Sequence, residues 1–235
     1  MPGAREYSAD ANWKLYVENS IDGYHVLPLH ITYFEYLEQT EGSRPNLSAI
    51  SEAFALGNGH AAIRTRGPWA RPVARWTSAL GERNRERVQA TYAELVRKFG
   101  PERAEMIGRT DRVLLIFPNL VVLDIMGVVV RSITPTGAGH TKVTQWSLAS
   151  AGEDSDLRAK RLDNFIAFQG PAGLATPDDL EAFEACQAGL RAAAGVPWSD
   201  ISRGMHREQR GQPTCADDEL QMRAFWRQWQ NLMSV

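Results

Sequence analysis

Two histidines, two acids and two asparagines crowd into one short stretch of this chain, NWKLYVENSIDGYHVLPLH, which runs from Asn12 to His30. Imidazole binds transition metals in its neutral form, and an adjacent carboxylate is the usual device that orients its ring. The spacing predicts a helix from Asn12 to about Tyr24. At 100° per residue, Trp13, Tyr16, Val17, Ile21 and Tyr24 share one face, while Leu15, Glu18, Asn19, Asp22 and His25 share the opposite one. The second face carries no Lys or Arg, a composition suited to a polar cavity, although an ordinary solvated face is the competing reading. Asp22 and His25 are three residues apart, so the carboxylate can reach and orient the imidazole. Five residues of regular helix would turn His25 and His30 roughly 140° away from each other. Pro28 has no N–H and clashes with the carbonyl of Tyr24, which predicts a kink that lets His30 turn back. Both imidazoles can then converge on one ion.

A second acidic pair occurs in Thr176-Pro177-Asp178-Asp179. By its residue types alone this is a helix start, with Thr as the cap, Pro at the first helical position and acids set against the positive end of the dipole. Cys186, in a helical run, reads as a buried apolar residue. His140 and His206 read as surface residues.

The elements that must position these groups follow from periodicity and punctuation. The 235 residues, 43% of them apolar, suffice for one domain with a full core. Four β-branched runs, RVLLIF, NLVVLDI, GVVVRSI and TKVTQWSLA, are separated by PN, MG and TPTGAGH, which predicts an antiparallel meander from Arg112 to Ser150. Segments rich in Gly, Pro and Asn between residues 40 and 80 (EGSRPN, LGNGH, RGPWARP) predict loops around short strands. Helices are expected over GERNRERVQATYAELVRKFG, ending at Gly100-Pro101, over 155–169 and 177–194, and in the amphipathic tail DDELQMRAFWRQWQNLM. Grouped strands with helices on both sides give an α+β class. The formal net charge of −2 and scattered basic residues give no phosphate-binding surface, so no nucleic-acid partner is expected. Two cysteines without C-x-x-C spacing suit a reducing, cytoplasmic setting. The longest apolar run is broken by Pro118, Asn119 and Asp124, so no membrane span is expected.

The Asn12–His30 stretch resembles the iron-binding segment of Rieske-type aromatic-ring-hydroxylating oxygenases, in the catalytic domain of the large (α) subunit. The resemblance continues through FPNLVVLD, FQGPAGLATPDDLEAFEACQ, SRG and DDELQMRAFWRQWQ, and points in particular to the benzoate and anthranilate dioxygenase branch. It implies a helix-grip (START/Bet v 1-like) antiparallel sheet with flanking helices. It also implies that His25 and His30 bind mononuclear Fe(II), that Asn19 lies beside the iron, and that Asp22 connects a ligand to the cluster of a neighbouring subunit. The third ligand falls on the second acid of the pair, Asp179, with Asp178 as the alternative. A similar Gly-Asn-Gly-His loop in the family leaves His60 either lining the pocket or satisfied locally.

Two imidazoles and one carboxylate leave adjacent positions on Fe(II) open for O2 beside a substrate. Zinc held by the same residues is the chemical rival, but no H-E-x-x-H base accompanies it. The implied reaction inserts oxygen into an aromatic acid with electrons from NAD(P)H. The implied partners are a Rieske domain or ferredoxin and reductase, in a homotrimer or α3β3 assembly. Neither C-x-H nor C-x-x-H occurs, so residues 1–235 read as one catalytic domain without the [2Fe-2S] domain, supplied with electrons from another chain. The competing reading is a scaffold or hydrophobic-ligand subunit without turnover.

Overall fold

The computed structural model describes residues 3–41, 51–66, 74–125, 127–195 and 197–234. Seven antiparallel strands build one sheet: β1 (Arg5–Ala9), β2 (Ser51–Gly57), β3 (His60–Thr65), β4 (Asp111–Ile116), β5 (Leu120–Ile125), β6 (Gly127–Gly137) and β7 (His140–Leu148), in the order β1-β7-β6-β5-β4-β3-β2. Successive side chains of a strand face opposite sides, and the β-branched runs place one apolar row toward the core. Val113 and Leu115, Val121 and Leu123, Val129 and Ile133, and Val143 are all buried on that side. The meander expected from Arg112 to Ser150 is therefore β4 to β7. The LGNGH segment is the β2–β3 hairpin, where Gly57, Asn58 and Gly59 all take positive φ. The expected loops at EGSRPN and RGPWARP lie almost wholly outside the described residues.

Helices cover the core face of the sheet. α1 (Trp13–Ser20) buries Trp13, Tyr16 and Val17, and the side chain of Asn12 caps its start by accepting from the Lys14 N–H. Beyond it lie α2 (Val26–Leu29), α3 (Ile31–Glu41), α4 (Arg85–Phe99), α5 (Pro101–Arg109), α6 (Ser155–Gln169), α7 (Thr176–Gly189), α8 (Met205–Gln209) and α9 (Leu220–Met233). The last helix packs on β2 and β3, and Phe225, fully buried, joins it to the ring of Trp13 at 6.0 Å. This is the α+β arrangement of antiparallel sheet and flanking helices. No helix among the described residues is long and apolar enough to cross a membrane.

The structure corrects several sequence expectations. The first helix ends at Ser20, with Ile21 as its C-cap, so the break lies ahead of Pro28 rather than at it. Pro28 sits inside the single turn of α2, in the first turn of a helix where no N–H partner is lost. Tyr24, assigned to the apolar face, is 38% exposed because that face no longer exists after residue 21. Thr176 is the first residue of α7 rather than its cap, and its hydroxyl donates to the Gln169 carbonyl instead. Cys186 is exposed, because α7 projects past the core once Phe183 has been buried. Strand β1 and helix α5 were not anticipated. β1 has only five residues, and its register on β7 supplies the partner that its local sequence does not announce.

Candidate metal centre

Three chain segments meet at one end of the cavity between sheet and helices. The C-terminal end of α1 brings Asn19, and residues 21–25 bring Asp22 and His25. His30, at the junction of α2 and α3, and Asp178 and Asp179, in the first turn of α7, complete the group. Two devices hold the segments in place. Gly23 lies so close to the backbone of residue 216 that a Cβ would fall 2.5 Å from the Ala216 carbonyl carbon. The start of α7 is tied to the end of α6 by the bonds Leu174 N–H to Ala167 O (2.7 Å) and Ala175 N–H to Phe168 O (3.1 Å). The apolar floor is supplied by Phe168, whose ring stands edge-on to His30 at 5.7 Å.

The donor atoms of His25, His30 and Asp179 all lie within 4.8 Å of one another. Asp179 Oδ1 is 3.4 Å from His30 Nε2 and 3.8 Å from His25 Nε2. Donors held 2.0–2.2 Å from a common ion in adjacent positions sit about 3 Å apart, so the set closes on a metal by movements of about 1 Å or less per side chain. The imidazole rings meet at 83°, with their centroids 5.4 Å apart, so they approach one point from different directions. Two imidazoles and one carboxylate fit a divalent transition metal by number and type.

The surrounding polar groups fix this set. Asn19 Nδ2 donates to Asp179 Oδ1 at 3.0 Å. Asp178 Oδ2 stands 3.5 Å from His30 Nδ1, the ring nitrogen turned away from Asp179, so the first acid of the pair orients His30 while the second faces the donor cluster. Asp22 Oδ2 lies 3.0 Å from His25 Nδ1, although the ring N–H is not aligned with it as in a regular hydrogen bond. The other oxygen of Asp22 accepts from the Tyr24 N–H at 2.9 Å, which holds the carboxylate in a tight turn. Burial opposes charge on His30, but the hydrogen bonds and charges of Asp179 and then Asp178 outweigh it and raise its pKa. Metal binding needs the neutral imidazole and therefore competes with protonation of this ring.

The cluster opens on a cavity of about 110 Å³. Its wall combines apolar residues (Val26, Ile63, Val113, Leu123, Ile125 and Phe168) with polar ones, among them Asp111, Arg112, Arg131 and Gln169. An apolar cavity of about 150 Å³ accepts benzene, so this space has the scale of a single aromatic ring.

Of the remaining candidates, His60 does not line the cavity, and its Nδ1 accepts the Phe117 N–H at 3.0 Å. His206 is exposed on α8, and the His140 side chain is 46% exposed. Sequence reasoning missed the contact of Asp178 with His30 and the presence of Arg131 in the cavity wall. The first had no local signal, since it joins residues 148 apart. The second had one: Arg131 occupies a core position in the alternation Val129-Arg131-Ile133.

Residues 2–235 match the family of ring hydroxylating alpha subunits, catalytic domain. The chain is 32% identical over 214 residues to the large subunit of 2-halobenzoate 1,2-dioxygenase from Burkholderia cepacia, covering 86% of this chain and 43% of that protein. It is 31% identical over 227 residues to the anthranilate 1,2-dioxygenase large subunit of Acinetobacter baylyi, covering 94% and 47%. The chain thus spans about half the length of the curated relatives it matches. In three dimensions it aligns with a naphthalene 1,2-dioxygenase holding indole in its active site, with a TM-score of 0.76, 20% identity, and coverage of 100% of this chain and 55% of the other. Fold and sequence match agree, and the chain belongs to the ring-hydroxylating alpha-subunit catalytic domain family.

Proposed function

We propose that this domain inserts oxygen from O2 into the ring of an aromatic acid at an Fe(II) held by His25, His30 and Asp179. The observation that carries the reading is the convergence of those three donors at the mouth of a ring-sized cavity. Iron bound there would supply the activation of O2, the chemistry associated with two histidines and one carboxylate on one side of Fe(II). The protein's own groups do the rest. Asn19 and Asp178 hold Asp179 and His30 in place, and Asp22 orients His25. The apolar wall excludes bulk water and presents the ring to the metal side of the cavity. The relatives named for 2-halobenzoate and anthranilate support an aromatic acid as substrate.

Electrons would come from a [2Fe-2S] cluster outside these 235 residues, because the two cysteines present, Cys186 and Cys215, are separate free thiols. Asp22, beside His25, is the residue through which we expect that cluster to be coupled, within an assembly of at least two chains. The test replaces O2 and electrons with hydrogen peroxide. Iron-loaded protein is expected to form hydroxylated product from benzoate, and His30→Ala to form none. Equal product from both proteins would overturn the reading in favour of a binding subunit without turnover.

A further inference from the structure

The register of the sheet places Arg5, Gln145 and Arg131 side by side across β1, β7 and β6. Arg131 is only 7% exposed and is among the residues that line the cavity shared with the metal donors. The contacts that hold it are neutral: Nη2 donates to Gln169 Oε1 at 3.3 Å, and the guanidinium lies 5.4 Å from the centre of the Tyr16 ring. Nε is buried with no hydrogen-bond partner, and among the described residues no carboxylate oxygen lies within 4 Å of this side chain. A buried cation without an anion is costly, and the neighbouring Arg5 adds repulsion rather than relief. Beyond burial and the hydroxyls of Tyr16 and Tyr7, the one carboxylate that acts on Arg131 is Asp179, and on the proposed function that carboxylate is committed to the metal. The other arginine of the wall, Arg112, is already paired with Asp124 at 3.2 Å.

We infer that Arg131 is the specificity-determining residue of the cavity, its guanidinium binding the carboxylate of a single-ring aromatic acid. Guanidinium recognises carboxylate through two parallel N–H donors, a fork that Arg131 carries without an anion of its own. The ring would then lie along the apolar wall, between Arg131 and the metal donors. This inference rests on the proposed function for its substrate class, whereas the unmatched buried charge stands on the geometry alone.

Titration calorimetry with benzoate and its neutral isostere benzamide tests it, with zinc-loaded and with metal-free protein, and with metal content measured in parallel. Wild-type protein should prefer benzoate over benzamide by roughly 10- to 100-fold, the range for a charge-assisted pair. Arg131→Gln should abolish the preference while leaving metal content and benzamide affinity unchanged, and Arg131→Lys should retain part of it. A wild-type protein without the preference, an Arg131→Gln protein that keeps it, or one that loses both ligands equally would each overturn the assignment. If Arg131→Gln does not fold, the wild-type ratio and Arg131→Lys decide. Failure of the metal reading shows separately, as absent metal with an intact benzoate preference in the metal-free protein.

Discussion

Substituting Gly23 with alanine should damage the candidate metal centre without touching any of its donors. The added Cβ would lie 2.5 Å from the backbone carbonyl carbon of Ala216 and 2.6 Å from its oxygen, against 3.4 Å or more for an ordinary contact. Backbone cannot swing aside as a flexible side chain can, so the 21–25 segment or the 216 segment must move by about 1 Å. Asp22 and His25 flank Gly23 within two residues, and a metal site tolerates about ±0.2 Å in its ligand distances. A displacement several times that tolerance should lower metal affinity at least roughly 10-fold, or about 1.4 kcal/mol. Overpacking itself costs about 1–3 kcal/mol, which for a chain of this size lowers the melting temperature by roughly 2–12 °C. The comparison is Gly189→Ala, at the end of α7, where an added Cβ meets nothing within 4 Å and stability should hold or rise slightly. Competition titration against a chromogenic chelator, with thermal melts of both variants, is the assay. Wild-type metal affinity in Gly23→Ala would refute the argument that this close approach sets the position of His25.

Asp178→Ala should keep the metal but weaken it by roughly 10- to 100-fold, because its carboxylate orients His30 rather than joining the donor set. Complete loss of metal in an otherwise folded variant would make Asp178 a ligand. Asp22→Ala should likewise retain most of the metal while losing electron delivery from an added Rieske protein, as measured by single-turnover kinetics. Away from the site, Glu153 is held below the usual carboxylate range by its hydrogen bonds to Arg161, which outweigh its burial. Its contribution to stability is therefore full above the unfolded value near 4.5 and is lost as pH falls through the lower folded value. Thermal melts between pH 3 and 7 should show wild-type protein losing this increment only on the acid side. Glu153→Gln, which leaves buried Arg161 without its bidentate partner, should be destabilised by about 3 kcal/mol at pH 7.

The four-strand meander, the helix over 155–169 and the C-terminal helix were legible because each carries a strong local period bounded by turn residues. The candidate donors were legible for a different reason. His25 and His30 lie five residues apart in a recognisable segment, whereas Asp179 could be joined to them only through the family resemblance. By local chemistry Asp179 is a helix-start acid, and its approach to His30 depends on α6 and α7 being folded together at residues 167–176. The same dependence on tertiary packing hid the break after Ser20: an amphipathic pattern continued to Tyr24, but the contact of Gly23 with Ala216 belongs to a segment almost two hundred residues away. Arg131 was visible as a charge at a core position of β6, yet its meaning required the cavity.

On the proposed function, His25, His30 and Asp179 together hold one Fe(II). Anaerobic loading with Fe(II), followed by desalting and measurement of iron per chain by mass spectrometry, tests it in wild-type protein and in His25→Ala, His30→Ala and Asp179→Ala, each checked for an intact fold by circular dichroism. Wild-type protein should carry close to one iron per chain and each folded variant close to none; wild-type iron content in folded His30→Ala would contradict this ligand set.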